Sequence, residues 1–242
     1  LMGMHFKLGL YEHQSAGALQ AVLNLIRKHP HLAAEVDELE SVKVVAYQPA
    51  FGIIGDPAKR HPETRQSADH SMVYILARLL KKAKEVSTAG NMADSNEGIW
   101  KQLMLLPIDY SRTSIKDEQT HRIMNTITFE HGGPEYDSKY PEGIPTSVVI
   151  TDSKGNSFDS GFIMFPSGHA RFEELPESHE IEHILQHKFE MLGSLGVENT
   201  NELLEKLSNL QSKTAKEIDH LYEGEIAFVH QQQNKGRGRK RK

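Results

Sequence analysis

The sequence has 242 residues, of which 38% are hydrophobic and 25% are charged, a composition typical of a soluble globular chain. It contains no cysteine, which excludes disulfides, thiolate zinc sites and cysteine-held iron–sulfur clusters within these residues. No apolar stretch reaches the roughly 18 residues of a membrane span, and no signal-peptide pattern is visible in the first residues. We therefore expect a cytoplasmic protein without a membrane partner.

The formal net charge is −5, but the charge is unevenly distributed along the chain. Residues 235–242 (KGRGRKRK) hold six of the 28 basic residues and no acidic one, which leaves 22 basic residues against 33 acidic ones elsewhere. Such an acidic body opposes general nucleic-acid binding, because phosphate contacts require a basic surface. We interpret the tail as a disordered solubilising segment. A nucleic-acid-binding adaptor that acts through this tail is the alternative function from another class.

The hydrophobic pattern predicts helices and short strands in a defined order. In chain order these are a helix over 11–28, a strand over 41–48, a long loop over 49–67, helices over 69–84 and 114–128, a β-hairpin over 145–165, and helices over 178–195, 199–210 and 215–229. The loop is too long for a simple connection, and such loops are often functional. Beyond Pro176 the composition becomes purely helical, so the chain divides near residue 175 into an α+β portion and a helical portion.

One histidine spacing matches a metal-binding pattern. His179, Glu180 and His183 fit the H-E-x-x-H pattern of zinc metalloproteases, and His187 follows one turn later. These histidines lie opposite the apolar face of the predicted helix, and His179 and His187 are about 12 Å apart along its axis, too far for one ion. We interpret the match as a coincidence and expect no metal. A zinc hydrolase remains a second alternative.

The stretch from Arg65 to Tyr74 carries a chemically more informative pattern. In a helix over 69–84, His70 and Tyr74 would share the face opposite the apolar stripe. Asp69 and His70 would lie in the first helical turn, where an anion is favoured, and a histidine can exchange a proton near neutral pH. Lys59 and Arg65 make this neighbourhood cationic, which suits a small polycarboxylate. In the other interpretation, Asp69 is a simple helix cap and His70 an ordinary surface residue.

Three further residues have a side chain suited to contacting an anion. Lys7 precedes the first helix, and a lysine is a point charge that suits a carboxylate. His13 opens that helix on its polar face. His169 follows Gly168 after the hairpin, a position that is also common for a simple strand exit.

Taken together, these segments resemble the MmgE/PrpD family, which contains 2-methylcitrate dehydratases and cis-aconitate decarboxylases. The strongest match is PAKR at 57–60 followed by TRQSADHSMVY at 64–74. The second is HFK at 5–7 with EHQS at 12–15, and the third is FPSGHAR at 165–171. The three matches occur in the order that the family shows.

The resemblance implies an α+β lid domain over residues 1–175. It also implies a C-terminal helical segment over 176–234, which would pack on a helical domain, and a basic disordered tail over 235–242. The family's long N-terminal helical region is not in this sequence. We therefore expect Leu1 to be an internal point of a larger, homodimeric enzyme, and this chain to hold part of its active site.

The implied function is a hydro-lyase that resembles 2-methylcitrate dehydratase, an enzyme of propionate catabolism. It would eliminate water from a citrate-like tricarboxylic acid, or add water, by proton transfer α to a carboxylate. The alternative within the family is a cis-aconitate decarboxylase-like lyase, or an isomerase of a small polycarboxylate. Neither a metal nor another cofactor is implied.

The resemblance also assigns residues to the site. Lys7 would pair with a carboxylate, Tyr74 would donate to the developing charge, and His70 would transfer or position a proton. The candidate substrate-binding residues beside them are His13, Asp69, Arg65, Lys59 and His169.

Overall fold

The computed structural model describes residues 5–172, 179–221 and 223. The chain divides into two units, Leu1–Leu185 and Gln186–Lys242. The fold class is α+β, as the sequence predicts. The boundary predicted near residue 175 and the tail predicted over 235–242 lie outside the described residues. In the part of the chain that the structure describes, no helix is long and apolar enough to cross a membrane.

Helices dominate the described residues. In chain order they are α1 (Ala16–Lys28), α2 (His31–Ala34), α3 (Arg65–Asp69), α4 (Met72–Thr88), α5 (Asn96–Leu103), α6 (Arg112–Ile115), α7 (Glu118–Thr126), α8 (Pro134–Asp137), α9 (Glu180–Gly193), α10 (Thr200–Leu207) and α11 (Ala215–Asp219). Short 3-10 or π-helical turns lie at His13–Ser15, Val36–Glu38, Ala50–Ile54, Pro57–Lys59, Pro107–Tyr110 and Leu210–Ser212.

Four strands form one sheet in the order β2–β1–β3–β4. They are β1 (Ser41–Ala46), β2 (Ile127–His131), β3 (Thr146–Thr151) and β4 (Ser157–Asp159). β1 runs parallel to β2 and antiparallel to β3, and β3 pairs antiparallel with β4. The β3–β4 pair confirms the predicted hairpin. A parallel pair needs a long crossover, and the chain from α3 to α7 provides it between β1 and β2.

The core of the first unit forms where the two long helices, α1 and α4, meet the sheet and α7. α1 lies against β3, and α4 lies against α7. The apolar side chains that periodicity places on one face of each helix are buried: Leu19, Val22, Leu23 and Ile26 of α1, and Met72, Val73, Leu76, Leu79 and Leu80 of α4. The 104–111 segment adds the buried side chains of Met104, Leu105 and Tyr110 to this core.

The structure corrects the predicted start of the helix over 69–84. α4 begins at Met72, because the side chain of Ser71 caps it by accepting from the backbone N–H of Tyr74 at 3.4 Å. Asp69 instead ends the separate short helix α3, and His70 is its C-cap. The expectation that His70 and Tyr74 share one exposed helix face is therefore wrong.

The predicted helix over 114–128 is also corrected. α7 ends at Thr126, and Ile127 begins strand β2. The guanidinium of Arg60 donates to the carbonyl oxygens of Met124 and Ile127, so it ties the long loop to this helix–strand junction. The β-branched residues Ile127 and Thr128 pair with β1. This contact is between distant parts of the sequence, so local periodicity does not predict it.

In the second unit, the short helices α10 and α11 each begin at an N-terminal capping residue. Asn199 caps α10 by accepting from the backbone N–H of Glu202 at 3.1 Å. Thr214 and Glu217 form a capping box at α11. Residues 224–229 of the helix predicted over 215–229 lie outside the described residues.

Candidate active site

A cavity of about 340 Å³ lies in the first unit, between three chain segments at 7–11, 65–70 and 107–110. We call it the first cavity. It is lined by Lys7, Leu10, Tyr11, Arg65, Gln66, Asp69, His70, Pro107 and Tyr110. Four of the predicted site residues, Lys7, Arg65, Asp69 and His70, therefore share one cavity although they are up to 63 positions apart in the sequence.

Hydrogen bonds hold the three segments of the wall together. The backbone N–H of Leu10 donates to the carbonyl of Leu105 at 3.0 Å, and the hydroxyl of Tyr110 donates to the carbonyl of Leu10. The hydroxyl of Tyr11 accepts from the backbone N–H of Leu8 at 2.9 Å. The Lys7 segment is thus fixed against the 107–110 turn.

On its other side, the segment that carries Lys7 contacts Gly168, where only a glycine fits. The backbone N–H of Phe6 donates to the carbonyl of Gly168 at 2.9 Å. Gly168 has a φ of 92°, and a Cβ there would lie 2.3 Å from the carbonyl oxygen of Phe6. Only glycine allows this close approach without strain, so the FPSGHAR motif fixes the chain that carries Lys7.

His70 presents one ring nitrogen for chemistry. Its Nδ1 lies 3.0 Å from the carbonyl oxygen of Gln66 and 3.7 Å from Oδ2 of Asp69. Because a carbonyl only accepts, Nδ1 carries the hydrogen in this bond and Nε2 of the neutral ring keeps its lone pair. The side chain is 58% exposed. His70 therefore combines an oriented ring with an accessible base.

Glu12 is a half-buried carboxyl beside the first cavity that the sequence analysis did not select. Burial raises its pKa, while a 2.8 Å hydrogen bond from the backbone N–H of Gln14 and the charges of His70 and Lys7 lower it. Its charge is therefore felt by two residues of the cavity wall. The signal that could have revealed it is its place in the EHQS motif, as the acid next to His13.

Tyr74 packs in the core next to the 107–110 turn. Its side chain is fully buried, and its hydroxyl donates to the carbonyl oxygen of Asp109 at 2.6 Å. Burial raises its pKa, and the charged groups that face it are Arg78, Asp109 and Asp117. Tyr74 does not line the first cavity. It contacts, from behind, the 107–110 turn that does.

The remaining predicted site residues also lie outside the cavity wall. Lys59 contributes its backbone carbonyl, which accepts from the hydroxyl of Ser71 at 2.7 Å and holds the long loop against the start of α4. His13 and His169 both belong to a cluster of imidazoles around His5, which we call the histidine cluster. The ring centroid of His5 is 4.5 Å from that of His13 and 5.6 Å from that of His169.

The histidine cluster is held neutral by its surroundings. Burial, followed by the neighbouring His13 and His169, lowers the pKa of His5 to about 3. Burial and the charge of Lys7 lower the pKa of His13. Both ring nitrogens of His5 are buried without a hydrogen-bond partner in the structure. The cluster therefore packs behind Lys7 as uncharged rings.

The histidines of the H-E-x-x-H match are engaged with carboxylates. Nδ1 of His179 lies 2.9 Å from Oε2 of Glu182, and Nδ1 of His183 lies 3.1 Å from Oε2 of Glu97. Within residues 5–172, 179–221 and 223, no group of three or more histidine, aspartate or glutamate side chains is arranged to hold a metal ion.

Part of the chain matches a known protein family. Residues 11–89 match the model of the MmgE/PrpD C-terminal domain. This segment contains the PAKR and TRQSADHSMVY motifs and the EHQS motif, and it ends before the FPSGHAR motif. The resemblance inferred from the sequence is confirmed at this level. No curated protein matches the chain.

Proposed function

We propose, from the match of residues 11–89 to the MmgE/PrpD C-terminal domain, that this chain provides part of the active site of a lyase. The substrate class is a small polycarboxylate, and the leading reaction is the loss or addition of water at a citrate-like tricarboxylic acid. The observation that carries the proposal is the first cavity, where two cations and an oriented histidine meet.

Substrate binding is assigned to Lys7 and Arg65. Both line the first cavity, and both carry a positive charge that can pair with a negatively charged carboxylate. Arginine can hold a carboxylate through two parallel hydrogen bonds, whereas lysine acts as a point charge. A volume of about 340 Å³ falls in the range of small-molecule sites. Asp69, on the same wall, suits the hydroxyl of a hydroxy acid as a hydrogen-bond acceptor.

Proton transfer is assigned to Nε2 of His70. It would take the proton α to a carboxylate, and the C–O bond at the adjacent carbon would break. The departing hydroxide would then receive the proton from the imidazolium, so that the substrate loses one water molecule and His70 returns to its neutral form. The reverse sequence adds water.

Glu12 and Asp69 support this step electrostatically. Both carboxyls lie near His70, and their negative charges attract the positive charge that the ring carries after it takes the proton from the substrate. The donation from Nδ1 to the carbonyl of Gln66 keeps the ring in the tautomer that leaves Nε2 free.

The geometry supports a role for Tyr74 in positioning the 107–110 turn, and not in contacting the substrate directly. Its hydroxyl is bonded to Asp109, whose turn carries the wall residues Pro107 and Tyr110. Direct donation to substrate, as the resemblance implies, would require this bond to break. His13 and His169 are likewise assigned to supporting Lys7 through the histidine cluster.

The test is turnover by the full-length protein of 2-methylcitrate, citrate and cis-aconitate, with products followed by NMR. Loss or gain of water supports the leading proposal, and release of carbon dioxide from cis-aconitate supports the decarboxylase alternative. Absence of turnover with all three acids would overturn both. Light scattering of the same sample tests the homodimer that the resemblance implies.

A further inference from the structure

A second cavity, of about 640 Å³, lies next to the first in the same unit. We call it the second cavity. It is lined by Pro62, Glu63, Thr64, Arg65, Tyr110, Arg112, Ile115, Lys116 and His121. Arg65 and Tyr110 belong to both walls, so the two cavities are neighbours separated by these side chains. The mechanism proposed above uses none of the other residues.

The second cavity is strongly cationic. It is lined by three basic side chains, Arg65, Arg112 and Lys116, and by one carboxylate, Glu63. Among the residues that the structure describes, the three cations form no ion pair and no side-chain hydrogen bond with the protein. The ring of His121 is held by a 2.8 Å bond between Nε2 and the carbonyl of Ile115.

The local structure concentrates these charges. Arg112 opens the four-residue helix α6, and Lys116 is its C-cap, so they lie four positions apart on one turn. Like charges at this spacing repel each other when no counter-charge is present. Arg65 opens α3, which contacts α6. Two short helices thus bring three cations around one cavity at an electrostatic cost that a bound anion would remove.

We propose that the second cavity binds a small polyanion, one that carries two or more phosphoryl or carboxylate groups. Two guanidinium groups offer paired hydrogen bonds to such groups, and the ammonium of Lys116 adds a third point of attraction. The cavity is of the size that holds small molecules in proteins. A monovalent anion would leave two of the three cations without a counter-charge, so affinity should rise with ligand charge.

The test is calorimetric titration of the full-length protein with pyrophosphate, with succinate and with acetate. We expect pyrophosphate, succinate or both to bind more tightly than acetate, and binding to weaken as salt is added. Tighter binding of pyrophosphate would identify the recognised group as phosphoryl, and tighter binding of succinate would identify it as carboxylate.

Two pairs of substitutions locate the site. The double variant Arg112→Gln/Lys116→Gln removes two cations. We expect its affinity for the more tightly bound probe to fall at least about tenfold, because the loss of one strong hydrogen bond to a charged group can by itself lower an affinity by that factor. Lys139→Gln/Lys154→Gln removes the same charge from a partly exposed and an exposed position outside both cavities and should leave the affinity within about twofold. Lys7→Gln, which changes only the first cavity, should also leave it unchanged.

The proposal is overturned if neither polyanion binds more tightly than acetate. It is also overturned if the Arg112→Gln/Lys116→Gln pair binds as the unmodified protein does, since the ligand then lies elsewhere, including in the first cavity. Both substituted residues are exposed, so we expect the pair to fold. If it does not, the single variants Arg112→Gln and Lys116→Gln give the same comparison.

Discussion

Nδ1 of His70 and the carbonyl oxygen of Gln66 lie 3.0 Å apart, one helical turn from each other at the end of α3. This bond places the hydrogen of the neutral ring on Nδ1 and leaves Nε2 as the accessible base. The candidate base is therefore oriented by its own short helix. α3 in turn is fixed at its start by the capping box of Thr64 and Ser67.

His70→Asn separates the orientation of this side chain from its basicity. The asparagine amide can still donate to Gln66 but has no lone-pair nitrogen, so we expect kcat to fall by about 10²–10⁴-fold if His70 transfers the proton. KM should change little, because the cations remain. Steady-state kinetics of the full-length protein measures both values.

The matched control is His31→Asn, which changes an exposed histidine that lies outside both cavities. It should retain the kcat of the unmodified protein. A His70→Asn variant that is folded and retains more than about a tenth of the unmodified kcat would remove His70 from the role of base.

Tyr74→Phe tests the positioning role against direct catalysis. The variant loses the bond to the carbonyl of Asp109, so we expect the free energy of unfolding to fall by about 1–2 kcal/mol. Because the 107–110 turn is then held less firmly, KM should rise while kcat stays within about threefold. Urea unfolding and kinetics provide the two readouts. A kcat loss of about 100-fold with KM unchanged would show that the hydroxyl acts on the substrate itself.

Much of the fold follows from local patterns in the sequence. The long amphipathic helices α1 and α4, strand β1 and the β3–β4 hairpin each have a period or a turn signal within a few residues. β2 has no such signal, because its five residues become a strand by pairing with β1 more than 80 positions away. The start of α4 is ambiguous in the sequence, because Asp69 and Ser71 are both favoured capping residues, and the structure uses Ser71.

The candidate site was predictable in its residue types but not in its arrangement. The motif and its charges select Lys7, Arg65 and His70, and the cavity brings them together. Whether a tyrosine in a buried helix faces the cavity or the core depends on packing against the 107–110 turn, which spacing along the chain cannot show. Glu12 was missed for a similar reason, since its influence on His70 exists only in three dimensions.

The histidine cluster predicts a loss of stability in acid. The pKa of His5 is about 3 in the folded protein and near 6.5 when exposed, so below pH 6.5 the unfolded chain binds a proton that the folded chain does not. The free energy of unfolding should therefore fall as the pH decreases from about 6.5 to about 3, by about 2–4 kcal/mol from His5. The cations that face the cluster, Lys7 and Arg171, act in the same direction.

His5→Phe is the variant that isolates this effect. It removes two buried ring nitrogens that have no partner, so stability at pH 7 should be equal or higher. Its stability should also fall less between pH 7 and pH 4.5 than that of the unmodified protein, as urea titrations at the two pH values would show. An identical decrease in both proteins would mean that His5 does not titrate as described.

The buried ion pair between Arg78 and Asp109 should contribute strongly to the stability of the cavity wall. Nη2 of Arg78 lies 2.8 Å from Oδ1 of Asp109, and Oδ2 accepts from the backbone N–H of Leu106 at 2.9 Å. Asp109→Asn leaves the Arg78 charge buried without its carboxylate, so we expect a loss of about 3 kcal/mol in urea unfolding.

The exposed pair of Lys43 and Glu130, at 3.2 Å, provides the comparison for this prediction. Glu130→Gln should cost less than about 1 kcal/mol, because solvent screens both charges. Equal losses in the Asp109→Asn and Glu130→Gln variants would contradict the prediction. Since Asp109→Asn removes the ion pair that holds the 107–110 turn against Arg78, it should raise KM in the same sense as Tyr74→Phe. A KM that stays unchanged in both variants would show that the turn holds its position without either contact, and that the wall of the first cavity is fixed by Tyr110 and Leu10 alone.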